Sequence, residues 1–265
     1  MNINKVLSKA VYCRFFEKRV QQLLNNKTIQ VPTYLSIGQE MISAVMSEYF
    51  PKFKIFGQHR AHSTYLCYGG DPVELAGKLL GTSNKKEGSA SISSKEIGMY
   101  GHSGLMGDQV PIAVGACLAG IGSCLAIMGD ASGEEDYALA SFGFAVKHKL
   151  PILFLVEDNN LSILTEKRVR RDWNHHEVAK SFGLKSYNCN DSIEELSQVC
   201  ENAKHNLPAL INVNTNRRVW HAGGGVDDYH GEDRLELELK ANPLSNINDI
   251  KLEVENLWDS QLQKL

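Results

Sequence analysis

The chain has 265 residues, 43% of them hydrophobic and 22% charged, proportions that exclude a disordered, fibrous or disulfide-stapled protein. Its 28 basic and 31 acidic residues leave a net charge of -3, which argues against a dedicated nucleic-acid binder with its strongly basic face. At roughly 150 residues per domain, the length allows one large domain or two small ones.

The opening segment, MNINKVLSKAVYC, has neither the apolar run nor the cleavage site of a secretory signal. Over 5–25, Val6, Ala10, Val11, Phe15, Val20, Leu23 and Leu24 recur at helical spacing. A second helix is expected from Ser36, with Gln39 as its capping-box partner, to about Phe50. A third opens at Asp71-Pro72-Val73-Glu74, which combines an N-cap, a proline at N1 and a capping box, and stops near Gly81. Residues 82–106 carry Ser, Gly and Lys with no period and read as a long loop, a kind more often functional than idle.

The pattern then alternates: helix 108–120, strand 123–128, helix 134–148, strand 152–156, helix 174–182, strand 185–187, helix 192–205 and strand 209–214. Asn174 with Glu177, and Ser192 with Glu195, mark two of the helix starts. The longest uncharged stretch, 109–129, is broken by Pro111 and by Gly120-Ile121-Gly122-Ser123, so it reads as helix, turn and strand and not as a membrane span. A polar, glycine-rich loop runs from 215 to about 232, and a helix over 248–263 closes the chain. The expected fold is α/β, an open parallel sheet with helices on both faces. It is read as one domain, with a helical N-terminal arm over 1–50, a core over 51–232 and a C-terminal tail over 233–265. The six cysteines form no C-x-x-C pair, which speaks against a zinc ribbon or thioredoxin motif and for a reducing cytoplasm.

In an open parallel sheet, ligands bind beyond the carboxyl ends of the strands. Two tips stand out: Gly129-Asp130-Ala131-Ser132-Gly133-Glu134-Glu135 after one strand and Glu157-Asp158-Asn159-Asn160 after the next. A carboxylate, an amide oxygen and a loop carbonyl are hard ligands of the kind Mg²⁺ takes when phosphate oxygens complete its shell. Glycines admit the backbone to the phosphates, and the start of helix 134–148 adds N–H groups. Each tip alone is an ordinary turn. Asp130 and Asn159 together, 29 residues apart with one helix and one strand between, are far more specific.

Gly129-Asp130 followed by Asn159 resembles the thiamine diphosphate (ThDP) motif, GDG followed by N. Ser36-Ile37-Gly38-Gln39-Glu40, His59-Arg60-Ala61-His62, Gly104-Leu105-Met106-Gly107-Asp108-Gln109-Val110-Pro111 and Lys149-Leu150-Pro151 stand in matching order. Over roughly residues 8–235 the chain resembles the α subunit of the E1 component of 2-oxo acid dehydrogenases of the pyruvate, acetoin and branched-chain types.

The resemblance implies ThDP and Mg²⁺ as cofactors, with Asp130, Asn159 and the backbone carbonyl of Leu161 as metal ligands. It puts Arg60 on the diphosphate, beside His59 where the family often has tyrosine, and Gly104 and Met106 along the cofactor. Gly129, Ala131 and Ser132 fall at the phosphates, the last two through backbone N–H groups. Thr215-Asn216-Arg217 followed by His221 resembles the family's closing loop, with His221 beside the diphosphate and the substrate entrance. His221, His62 and Tyr34 are its catalytic candidates. It further implies a β-type subunit that supplies the activating glutamate, an α₂β₂-type assembly, a 2-oxo acid substrate and an acceptor such as a lipoyl acyltransferase, with no nucleic-acid or membrane partner.

Four departures from the family pattern stand out. Ala131 replaces the second glycine of GDG. Tyr34 stands where the pyruvate enzymes carry a histidine. Ser89-Ala90-Ser91 replaces a Gly-Ser-Met-His signature, and Ala222 follows His221 where a regulatory serine is usual. They keep open a carboligase or ketol transferase; a non-catalytic partner-binding paralogue is the rival from another class. An NAD-binding protein lacks its fingerprint, since no G-x-G-x-x-G follows a first strand. His175-His176 reads as structural, and Arg168, Arg170 and Arg171 as a solvated loop or subunit contact.

Overall fold

The computed structural model describes residues 1–83, 87–101, 103–225 and 231–265. Parts of the expected loops 82–106 and 215–232, namely 84–86, 102 and 226–230, lie outside the described residues. The helices are α1 (Ile3–Asn25), α2 (Glu40–Tyr49), α3 (His62–Cys67), α4 (Pro72–Leu80), α5 (Gln109–Leu118), α6 (Asp136–Lys147), α7 (Lys167–Arg170), α8 (His175–Ser181), α9 (Ile193–Lys204), α10 (Arg234–Ala241) and α11 (Ile247–Leu262). The strands are β1 (Lys54–Phe56), β2 (Met99–Tyr100), β3 (Cys124–Gly129), β4 (Ile152–Asp158), β5 (Leu161–Ser162), β6 (Thr165–Glu166), β7 (Lys185–Asn190) and β8 (Ala209–Asn214).

Six strands form one sheet in the order β2-β1-β3-β4-β8-β7, every neighbouring pair parallel. Helices cover both faces, as expected. Alternate residues of β3 and β4 feed two cores. Leu125, Ile127, Leu153 and Leu155 pack with the N-terminal helices, α9 and α11. Ala126, Met128, Phe154 and Val156 pack against α5, α6 and α8. Burial on both faces is why these strands are continuous apolar runs. The chain leaves β1 for β2 on one side and returns to β3 on the other. That reversal opens a crevice at the carboxyl ends of β1 and β3.

Several boundaries differ from the sequence expectation for identifiable reasons. Helix α2 begins at Glu40 and not at Ser36, because the Ser36 hydroxyl donates to Glu17 at 3.0 Å and meets Ser63 Oγ at 2.5 Å. Asp71 caps α4 through Val73 N, and Gly81, at φ 79°, ends it. The run 233–265 forms two helices, α10 and α11. Val254 and Trp258 of α11 join the same core as α1, with Trp258 fully buried. Arg14 of α1 ties the two ends of the chain together. It meets Glu40 at the start of α2 and donates to Asp233, the N-cap of α10, at 2.8 and 3.0 Å. Among the described residues, no helix is long and apolar enough to cross a membrane.

Candidate active site

Three strand tips meet at one cavity of about 380 Å³. The turn after β1 contributes Gln58, His59 and Arg60; the turn after β3 contributes Gly129 to Ser132; and the segment after β4 contributes Asn159 and Leu161. Met106 and His221 complete the expected set that lines this space. Residues spread from 59 to 221 in sequence thus converge where the switch in strand order opens the sheet edge.

Tyr34, His59 and His221 form an aromatic cluster at the cavity. The Tyr34 ring lies 4.7 Å from His59 and 5.2 Å from His221, both nearly edge-on. Tyr34 N donates to Ser89 Oγ at 2.8 Å, so two of the departures from the family pattern touch each other. His62 is not brought to the cavity. It is fully buried between α1 and α3, with its Nδ1 2.9 Å from Glu17. Gly104 is exposed, at φ 99°, and does not line the cavity either. Its neighbour Met106 is held there by Tyr137, whose hydroxyl donates to the Met106 carbonyl. Gly107 makes this approach possible, because a Cβ there would lie 2.7 Å from the Ser132 carbonyl.

Ala131 has φ -74°, so the second glycine of the motif is dispensable here. The Ser132 hydroxyl closes the turn on Gly129 O at 3.0 Å. Helix α6 starts only at Asp136, after a short 3-10 turn over Ser132–Glu134. Its N-terminus is therefore further from the strand tip than the sequence suggested, and Glu134 and Glu135 line the cavity there. Asn159 is oriented at both ends of its amide. Oδ1 accepts from Leu161 N at 3.1 Å, and Nδ2 donates to Gln39 Oε1 at 3.0 Å. Arg60 donates to the Leu35 carbonyl at 2.6 Å and to the His221 carbonyl at 3.5 Å.

Most of the residues that sequence reasoning missed are charged. Arg170 and Arg171 are not a solvated loop. Arg170 reaches back from α7 to Asp130 at 2.5 Å and to Glu134 at 3.0 Å. Arg171 holds Glu134 at 2.7 Å, donates to His175 Nδ1 at 3.0 Å and stacks over Trp173. Arg168 alone fits the solvated reading, with its side chain 79% exposed. Gln58 and Arg217 also line the cavity, and Gln58 donates to the buried Glu157.

Burial sets the electrostatics. It pushes Asp130 up to about 6, helped by Asp158, while Arg170 and Arg171 pull the other way. It pushes Glu157 up to about 7 against Gln58 and Arg60. His175 is pushed down to about 3, by burial first and then by the Arg171 charge. Neutral His175 packs under the β3 turn, where a Cβ on Gly133 would sit 2.5 Å from its Nε2. Gly133→Ala is therefore expected to cost about 1–3 kcal/mol through overpacking and to displace the 130–135 turn. Thermal unfolding checks this, and a smaller loss in a His175→Ala background identifies the clash.

Comparison with known proteins agrees with this architecture. The family model described as Dehydrogenase E1 component matches residues 8–263. The chain is 27% identical to the pyruvate dehydrogenase E1 component subunit alpha of Rickettsia bellii, covering 95% of this chain and 82% of that protein. It is 26% identical to the corresponding protein of Rhizobium meliloti, covering 92% and 75%. Among solved structures, transketolase from Campylobacter jejuni superposes over 100% of this chain with a TM-score of 0.63 at 18% identity. This chain spans 49% of that one, about half its length.

Proposed function

Since the chain belongs to the dehydrogenase E1 component family, we propose that it is the α-type subunit of a ThDP-dependent 2-oxo acid dehydrogenase, holding the cofactor's diphosphate through Mg²⁺. The observation that carries this reading is the meeting of Asp130, Asn159 and Leu161 with Arg60 at one cavity. Carboxylate, amide and carbonyl oxygens are hard donors suited to Mg²⁺. Among the described residues, no group of three or more His, Cys, Asp or Glu side chains offers a full metal cage. That fits a metal bound jointly with a diphosphate, which brings oxygens of its own.

Bound ThDP supplies the electron-sink chemistry by which a 2-oxo acid loses carbon dioxide. This chain's residues anchor and orient. Asp130 and Asn159 hold the metal, and Arg60 takes phosphate oxygens with its planar fork. His221, beside Tyr34 and His59, holds or moves a proton at the substrate entrance. The cavity also needs a cover. Leu105, Ile163, Leu164 and Val169 are 53–70% exposed, each in or next in sequence to the cavity-lining Met106, Ile163 and Arg170, an apolar rim suited to a β-type subunit that completes the site. An α₂β₂-type assembly and a reducing cytoplasm, which suits six buried thiols, belong to the same proposal. A carboligase is the second reading. It is favoured by the residue types at Tyr34 and Ser89-Ala90-Ser91, which depart from the family pattern, and product analysis separates it from acyl transfer to a lipoyl acyltransferase.

Reconstitution tests the proposal. The chain alone should decarboxylate 2-oxo acids at no more than trace rates and gain activity with a β-type subunit. In that assembly His221→Ala should keep the fold and most ThDP affinity but lose at least about tenfold in turnover. Full activity of the single chain, or unchanged turnover of the His221 variant, defeats the corresponding part of the reading.

A further inference from the structure

We propose that Arg170 is a built-in counter-cation for Asp130, so that a divalent metal loads the site by displacing this guanidinium from the carboxylate. The inference rests on the metal reading above and adds a step to it.

The Arg170–Asp130 contact is not an incidental surface pair. Asp130 is 1% exposed, and the Arg170 side chain is 13% exposed. One fork holds three partners: Nη2 lies 2.5 Å from Asp130 Oδ2 and 3.0 Å from Glu134, while Nη1 donates to the Thr165 carbonyl at 2.6 Å. A carboxylate this buried needs a neighbouring positive charge. With Arg170 in place the chain supplies one itself.

The same segment supplies both alternatives. Asn159 and Leu161, the other candidate metal ligands, stand at the start of the β5–β6 hairpin, and Arg170 stands in the helical turn directly after it. Either cation on Asp130 therefore bridges this segment to the β3 tip. The two do not share one oxygen, because a divalent ion and a guanidinium at bonding distance from Oδ2 repel each other strongly. Helix α7 has four residues and no buried side chain, so charge contacts hold it and not the core. The hairpin turn holds Ile163 at φ 55°, a conformation costly for a β-branched residue.

The test uses Mn²⁺ alone as probe, with free Mn²⁺ counted by electron paramagnetic resonance on the full chain. Arg170→Gln should bind Mn²⁺ at least about tenfold more tightly than the parent, since no internal cation has to leave. Arg170→Met serves as a second uncharged variant, and thermal unfolding verifies that each is folded. Arg168→Gln removes an equal charge from the same segment without touching Asp130, and should leave affinity unchanged. Asp130→Asn should lose the ion. Equal or weaker binding by folded Arg170 variants, or equal tightening by Arg168→Gln, overturns the counter-cation role while leaving the metal site standing. Undiminished Mn²⁺ binding by Asp130→Asn overturns the metal reading itself.

Discussion

Asp130→Ala is expected to weaken Mg²⁺-dependent ThDP binding by at least about 100-fold, beyond the 10–100-fold typical of changes to groups that only support a metal ligand. Without this carboxylate, the diphosphate charge has no metal held opposite it, and Asn159 is left as the sole side-chain donor of the proposed set. The same substitution should not unfold the protein. Asp130 is buried beside Asp158, and Arg170 keeps Glu134 as a partner at 3.0 Å when Asp130 is gone. Function is thus expected to fall while the melting temperature holds or rises, as happens where a site is kept strained for its ligand. Calorimetry with and without chelator checks it. Tight, metal-independent ThDP binding by the variant sinks the site assignment.

Arg14→Met should have the largest effect on stability. Arg14 is 7% exposed and lies between Glu40, which is fully buried, and Asp233. Removing the guanidinium strands the buried Glu40 carboxylate and leaves Asp233 with Arg218, 3.3 Å away, as its remaining cation, a loss of about 3–5 kcal/mol from a total stability on the order of 5–15 kcal/mol. Urea denaturation measures it. Its pH dependence has a definite sign. Burial raises Asp233, but hydrogen bonds and charge from Arg14, with Arg218, outweigh that and hold it below the ordinary carboxylate range. A lowered acid contributes stability above its unfolded pKa of about 3.9, and the contribution is lost as pH falls through the folded value. The parent should therefore lose stability steeply below about pH 4, and the Arg14 variant should show a flatter acid limb. A variant as stable as the parent at neutral pH would show that the ion pair is not what joins the chain ends.

The sheet interior was legible because β3 and β4 are buried on both faces and so carry apolar runs. Strands β1 and β2, three and two residues long, are too short to show any period. Helix α10 reads RLELELKA, an alternation that mimics a strand until Asp233 is seen to cap it. The cavity lining was legible at Asp130 and Asn159, where residue type and spacing single out two strand tips. It was not legible at Arg170, because a run of arginines reads the same whether it faces water or folds back 40 residues onto a carboxylate. His62 lies away from the cavity. It sits two residues from Arg60, but α3 begins there, and the helix turns it into the core against Glu17.

The stretch before α2 does more than connect. The Leu35 carbonyl steadies Arg60, Gln39 steadies Asn159, and the loop bearing His221 leans on Thr33 and Ile37 through backbone hydrogen bonds of 2.8 and 3.1 Å. Gly38 lies so close beneath that loop that a Cβ would stand 2.2 Å from the Asn216 carbonyl. The strand tips are consequently not a portable cassette. Grafted or trimmed at residue 51, they would keep every proposed ligand in the sequence and lose the scaffold that aims three of them. The smallest transplantable unit begins with the N-terminal arm.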